Sequence, residues 1–317
     1  MKKKVLFYSK YDWANSAFKT CQAMHKFSKK YDVKYFAERP HPFMYHRDNV
    51  ILSVNGNGAY VNHDVVADLY DWHEQADIIH FKGDEGTPSE VHGVKLDLSK
   101  PVVLTVCGIG WEQHHDEIWS KYGKHVNQLL ATTPDHLQHD IEGLVMPLPI
   151  NTDDIKPIEK AHTCCIIGFA PTSQRKGGDV VKSVAERLTM RHGDIYFNIQ
   201  EGMQHDFAMQ LKRVNHIFID QINNLGIYGN NGIEAMALGS VVISSHSYGA
   251  EGVVKAMNEN ELFNKLSYFI ENKDELYRWQ HVCREWAVNH HSYKVVANKL
   301  EKVYDSITNT NKNGLSA

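Results

Sequence analysis

The sequence predicts an α/β protein made of two Rossmann-like domains, and three observations lead there. Short apolar runs alternate with helix-period segments along most of the chain, the pattern of parallel strands joined by crossover helices. A proline-bearing stretch, Pro147-Leu148-Pro149-Ile150-Asn151, separates two such series near the middle. The length of 317 residues suits two domains of ordinary size, and 42% hydrophobic with 23% charged residues is a globular composition.

In the first series, Lys4 to Ser9 (KVLFYS) reads as a buried parallel strand. A helix is expected from about Trp13, with Ala17, Phe18, Cys21, Met24 and Phe27 as its apolar stripe. Val33 to Phe36 is the next strand, and residues 37–50, with two prolines and two histidines, read as a loop. Val65 to Trp72 reads as a helix and Ala76 to Phe81 as a strand that delivers His80, Lys82 and Asp84 to its carboxyl edge. Val102 to Val106 is followed by a glycine-bearing turn, Cys107-Gly108-Ile109-Gly110-Trp111. Strands at Leu129 to Thr132 and Leu144 to Met146, with Pro134 at a helix start between them, complete the domain. Open α/β sheets hold ligands at the carboxyl ends of their strands, so Asp12, Trp13, Asn15, His80 and Trp111 are candidate ligand-site residues. A cap for Asp12 and a packing role for Trp13 are equally open.

The second series opens with Cys164 to Phe169, then the loop Ala170 to Gly178, then a helix to about Met190 expected to bury Val180, Val181, Val184, Ala185 and Leu188 on one face. Ile195 to Ile199 is a strand, Glu201-Gly202 a turn, and Asp206 to Val214 a helix. The stretch 215–245 reads as strand, glycine-bearing loop, helix and strand, with Gly226, Gly229 and Gly232 breaking regularity before Ile233 to Leu238. The last helix carries Val296, Leu300, Val303 and Ile307 on one stripe, and the polar residues 309–317 are expected to fray.

A net charge of −4 argues against a broad nucleic-acid footprint, while Lys26, Lys29, Lys30 and Lys34 form either a local basic patch or a solvated helix face. Five cysteines without CxxC spacing indicate neither a disulfide framework nor a zinc site. No apolar run reaches the length of a membrane span and no signal-type segment is present, which predicts a cytoplasmic protein. The histidine-rich run Glu112 to Glu117 lacks HExxH spacing, so no metal is expected.

A glycine-bearing loop feeding a helix offers backbone N–H groups and a positive dipole end, which suits a phosphate. Glu234, in the first turn, could accept from sugar hydroxyls beside it; an ordinary crossover with a dipole-facing acid is the alternative reading. On the loop before the second domain's first helix, Arg175 and Lys176 stand beside Gly177 and Gly178, two cations able to neutralise a diphosphate leaving group.

Asp220, Gln221, Gly226, Tyr228, Gly229, then Glu234-Ala235-Met236-Ala237 and Gly239, followed by an apolar strand, resemble the donor-site signature of glycosyltransferase family 4, in its compact GxYG variant. The resemblance covers most of 160–305 and, in 1–150, strand order only. It implies a GT-B fold, two Rossmann-like domains facing each other across a cleft. Residues 1–150 would form the acceptor domain, 151–290 the nucleotide-sugar domain, and 291–308 a helix crossing back, with 309–317 a flexible tail.

It implies transfer from a UDP- or GDP-sugar with retention of configuration, no bound cofactor and no metal. Lys176 and Arg175 would carry the catalytic charge. Donor contacts are expected at Gly177, Glu201, Tyr228, Gly229, Asn230, Asn231 and Glu234, the last on the ribose. The chain departs from the family pattern at Gly226, where many members have a glutamate. Contact with the transferred sugar would then fall to backbone amides around Tyr228 to Asn231, or be absent. A second departure is Cys107, where many members have a histidine, and a third is Pro171 to Ser173, where the family's arginine usually lies. The acceptor is a glycan, a lipid-linked glycan or modified DNA. A non-catalytic nucleotide-sugar-binding subunit and a transferase acting on modified DNA bases are the alternatives.

Overall fold

The computed structural model describes residues 1–40, 45, 48–55, 58–83, 86–137, 141–222 and 228–313. The chain divides into two compact units, residues 1–149 with 293–317, and residues 150–292.

The first unit contains β1 (Lys3–Ser9), β2 (Tyr31–Ala37), a hairpin of β3 (Leu52–Asn55) and β4 (Gly58–Val61), and β5 (Ile78–Lys82). A second hairpin, β6 (Glu90–Val91) and β7 (Val94–Lys95), precedes β8 (Val102–Val106), β9 (Gln128–Ala131) and β10 (Leu144–Val145). Six of these make one parallel sheet in the order β10-β9-β8-β5-β1-β2. Because side chains alternate across a strand, β1 feeds two cores. Val5 and Phe7 pack with Phe18, Cys21 and Met24 of α1 (Ser16–Phe27) and with Val296, Leu300 and Tyr304 of α9 (Tyr293–Asn313). Leu6 and Tyr8 pack on the other face with Leu69 of α2 (His63–Gln75) and Trp111 and Ile118 of α3 (Gly108–Tyr122). Burial on both faces is why β1, β5 and β8 read as continuous apolar runs.

Three local features differ from expectation. The first helix starts at Ser16, after a 3₁₀ turn in which Ala14 and Asn15 take left-handed backbone angles (φ 60° and 57°). The Asp12 carboxylate captures the N–H groups of Ala17 (2.8 Å) and Phe18 (3.0 Å), so the chain must fold back before the helix can begin. The Cys107–Trp111 turn is in fact the start of α3, and Gly108 (φ 77°) supplies the left-handed step. The last helix runs to Asn313 rather than ending at Thr308. The two hairpins carried no strong strand signal, although the His92-Gly93 turn, with positive φ at both residues, has the backbone a tight hairpin needs.

The second unit is a five-stranded parallel sheet of β11 (Cys165–Phe169), β12 (Ile195–Ile199), β13 (Ile217–Gln221), β14 (Val241–Ser244) and β15 (Val254–Lys255), in the order β12-β11-β13-β14-β15. Its helices are α4 (Gly178–Arg191), α5 (His205–Arg213), α6 (Asn230–Ala237), α7 (Glu259–Glu271) and α8 (Lys273–His291). The outgoing and returning chain run side by side, with the Ile150 N–H donating to the His291 carbonyl at 2.8 Å and a parallel bridge between Ile150 and Ser292.

Candidate functional site

The carboxyl edge of the second sheet brings two loops together. After β11 the chain makes a 3₁₀ turn, Gln174–Lys176, and enters α4 through Gly177, whose φ of 85° favours a residue without Cβ. After β13, Ile222 donates its N–H to the Lys176 carbonyl (3.2 Å), tying the strand end to that turn. Asp220, only 1% exposed, completes the joint. Its Oδ2 accepts from the Gly229 N–H at 2.6 Å and its Oδ1 lies 3.4 Å from Lys176 Nζ. One buried carboxylate thus fixes both the cation-bearing turn and the backbone entering α6. Close packing explains Gly232: a Cβ there would lie 3.2 Å from Tyr228 Cβ and 3.3 Å from Asp220 Cγ. Arg175 is exposed on the same turn. A depression of about 370 Å³ lies beside it, lined by Ser173, Gln174, Asp179, Lys182 and Glu201, with Lys182 Nζ 3.9 Å from the Glu201 carboxylate.

Glu234 sits one turn into α6 and is buried. Its Oε2 accepts from Lys212 Nζ at 2.6 Å, and its Oε1 lies 2.9 Å from His205 Nε2. The same Lys212 ammonium donates to Asn231 Oδ1 (2.6 Å), and Asn231 Nδ2 donates to the Ala170 carbonyl (3.0 Å). Lys212 and Glu234 are each about 1% exposed, so their charges must compensate one another. The sequence signal for Lys212 is its place four residues after Ala208 on the inward stripe of α5, where a cation demands a partner. Tyr228 and Asn230 are both buried, and the Tyr228 hydroxyl is occupied within the unit. It accepts from Trp286 Nε1 and lies 3.0 Å from His291 Nε2, and burial pushes its phenol up to about 12. Gly229 also departs from expectation, because its N–H is given to Asp220. Gly226 lies outside the described residues.

In the first unit the acceptor candidates take structural positions. Asp12 holds the first turn of α1, accepts from Tyr35 Oη (3.1 Å) and faces Lys82 Nζ at 3.9 Å. Asn15 is a buried left-handed residue. His80 is 1% exposed, with Nδ1 2.7 Å from Tyr304 Oη and Nε2 2.7 Å from Thr105 Oγ1. Burial first, then Lys82, pushes its pKa down to about 3, so it is a neutral link between β5, β8 and α9. Trp111 is buried in the core and donates to the His136 carbonyl at 2.9 Å. A sheet covered on both faces turns side chains at its strand ends into the two cores. The side chain of Trp13, and Asp84, lie outside the described residues. Lys82 donates to Cys107 Sγ at 3.6 Å.

The sequence reading missed a pocket of about 260 Å³ in this unit, whose walls include Tyr8, Glu38, Lys82, Gly86, Glu90 and Tyr122. Among the described residues, Glu112, Asp135 and His136 are close enough to hold a cation, but both His136 ring nitrogens are engaged, one accepting from the Gly108 N–H (3.1 Å) and the other beside Thr133 Oγ1 (2.7 Å). Among the described residues, no helix is long and apolar enough to cross a membrane.

No family model matches the chain, and no curated protein sequence matches it. Solved structures do. A sucrose-phosphate synthase from Thermosynechococcus elongatus superposes with a TM-score of 0.64 at 11% identity, over 98% of this chain and 100% of that one. An alpha-glucosyltransferase in complex with UDP and a 13-mer DNA containing a central A:G mismatch reaches a TM-score of 0.67 at 9% identity, over 97% and 99%. The fold is GT-B. A glycosyltransferase from Rickettsia africae is similar over 97% of this chain and 99% of its own, with a TM-score of 0.61 at 14% identity. In GT-B terms, the joint built on Asp220 lies in the second of the two Rossmann-like units.

Proposed function

We propose that this chain is a retaining glycosyltransferase of the compact family 4 type, which moves a sugar from a UDP- or GDP-sugar to an acceptor in the cytoplasm. The observation that carries the reading is the Lys176–Asp220–Gly229 joint, which holds a cation and the amino end of a helix at one sheet edge. As the bond between sugar and diphosphate breaks, negative charge grows on the phosphate. A preorganised ammonium offsets it without reorganisation, and Arg175 adds a second charge from the exposed side of the turn. Retention follows in this reading from the donor phosphate assisting the acceptor's deprotonation, with no protein nucleophile. Glu234 holds the ribose in this reading, its carboxylate oriented by Lys212 and His205. Gly177, Glu201, Tyr228, Asn230 and Asn231 shape the donor site around them. The UDP bound by the alpha-glucosyltransferase neighbour supports the choice of donor.

That neighbour's DNA also favours a second reading, transfer to a modified base in DNA, which the net charge of −4 opposes. Release of UDP or GDP by the purified chain from a panel of nucleotide sugars tests the proposal. Turnover that Lys176→Ala lowers by about two orders of magnitude supports it, since one such donor is typically worth about 2.7–4 kcal/mol in the transition state. Nucleotide-sugar binding without turnover would make the chain a binding subunit.

A further inference from the structure

We propose that the pocket between β1, β2 and β5 of the first unit binds a neutral sugar ring, which makes the acceptor a glycan rather than an anionic polymer. As an acceptor site the pocket rests on the glycosyl-transfer reading; as a sugar site it does not. Glu38 is the residue after β2. Its N–H donates to the Ser9 carbonyl (3.0 Å) and its carbonyl accepts from the Leu52 N–H (2.8 Å), so its backbone is pinned between β1 and the β3–β4 hairpin. Its Oε2 accepts from Tyr8 Oη at 2.7 Å, which orients the carboxylate. Its Oε1 faces Arg39 Nε at 3.8 Å and His92 Nε2 at 4.0 Å, both beyond hydrogen-bond distance, and the side chain stays 16% exposed. A carboxylate fixed in this way is an acceptor for hydroxyl donors.

The walls fit the same ligand. Tyr122 presses against Gly86, where a Cβ would come within 2.0 Å of its ring, so the ring's place depends on the missing side chain. Together with Tyr11 it gives aromatic surface for the C–H face of a pyranose. The volume of about 260 Å³ is slightly below the usual range for ligand pockets, roughly 300–1,000 Å³, which suits one ring. Charge does not select an anion. Glu38 and Glu90 line the pocket together with Lys10 and Lys82, and Lys82 faces Asp12 at 3.9 Å, so a phosphate entering here would meet two carboxylates along with the lysines.

Saturation-transfer NMR tests the proposal with methyl α-glucoside, methyl α-mannoside and methyl β-galactoside as probes, and with glucose 6-phosphate and a 13-mer DNA duplex as competitors. At least one methyl glycoside should bind, with affinity at least fivefold weaker in Glu38→Gln and weaker in Tyr8→Phe, and neither anion should displace it. Thermal melts show whether each variant is folded; should Glu38→Gln fail to fold, Tyr8→Phe carries the test. Absence of glycoside binding, wild-type affinity in the folded variants, or displacement by the DNA duplex would overturn the proposal. Titration of UDP into the wild-type protein reports separately on the nucleotide reading, so the two can fail independently.

Discussion

Glu234 stands one turn into α6 rather than in its first turn, because the helix already begins at Asn230. The partners that own its carboxylate, Lys212 and His205, come from a helix twenty to thirty residues earlier. No local pattern reveals such an approach. The consequence is testable. Glu234→Gln should cost about 3–5 kcal/mol of stability, the usual loss when one member of a buried pair is removed. The double substitution Glu234→Leu with Lys212→Met should recover much of it, yet still lose nucleotide affinity if the carboxylate holds a ribose. Urea unfolding beside calorimetric titration separates the two effects, and a double variant with intact affinity would remove Glu234 from the donor site. His80 gives a pH prediction. The unfolded chain takes up this proton near pH 6.5, but the folded chain does not until about 3. The unfolded state therefore binds more protons in that window, so stability, complete above pH 6.5, falls as pH drops through it by about 1.4 kcal/mol per pH unit. His73 and His216, also lowered chiefly by burial, act in the same direction. Urea unfolding at pH 7.5 and 5.5 should show a shallower pH slope for His80→Gln; an unchanged slope would contradict the assignment.

Among the elements, the parallel strands were the most legible, because strands covered on both faces must be apolar throughout and Val102 to Val106 admits little else. Helix starts were less so. Asp12 delays α1 by a side-chain capture that spacing does not announce, and Gly108 and Gly110, which look like a turn, sit inside the first turn of α3. The Tyr8–Glu38 pocket escaped notice because its carboxylate follows β2 in a loop with no regular pattern. The helices also carry separable loads. Leu300, buried between α9 and the first sheet, should cost about 2–5 kcal/mol when replaced by alanine, measurable as a lowered melting temperature. Gly177→Ala should cost about 1–2 kcal/mol, because a Cβ opposes the left-handed backbone at φ 85°. Nucleotide affinity should fall with it, since the same residue sets the angle at which Lys176 enters the site; a stable variant with full affinity would show that the turn tolerates another geometry.

For the whole molecule, the chain divides into two compact units, and nucleotide recognition in this reading falls to the second alone. Hydrogen exchange with and without UDP should therefore show protection concentrated around residues 173–178 and 228–234, where the Asp220 joint holds backbone N–H groups. The most direct measurement is calorimetric titration of UDP and GDP into the wild-type protein and into Lys176→Gln, which keeps a donor for Asp220 but loses the charge. Saturable binding of one nucleotide is expected, weakened at least tenfold in the variant at a temperature where its thermal melt shows it folded, in line with the roughly 1.5–3 kcal/mol of a hydrogen bond to a charged group. Equal affinity in the two proteins, or no binding of either nucleotide to the wild type, would contradict it.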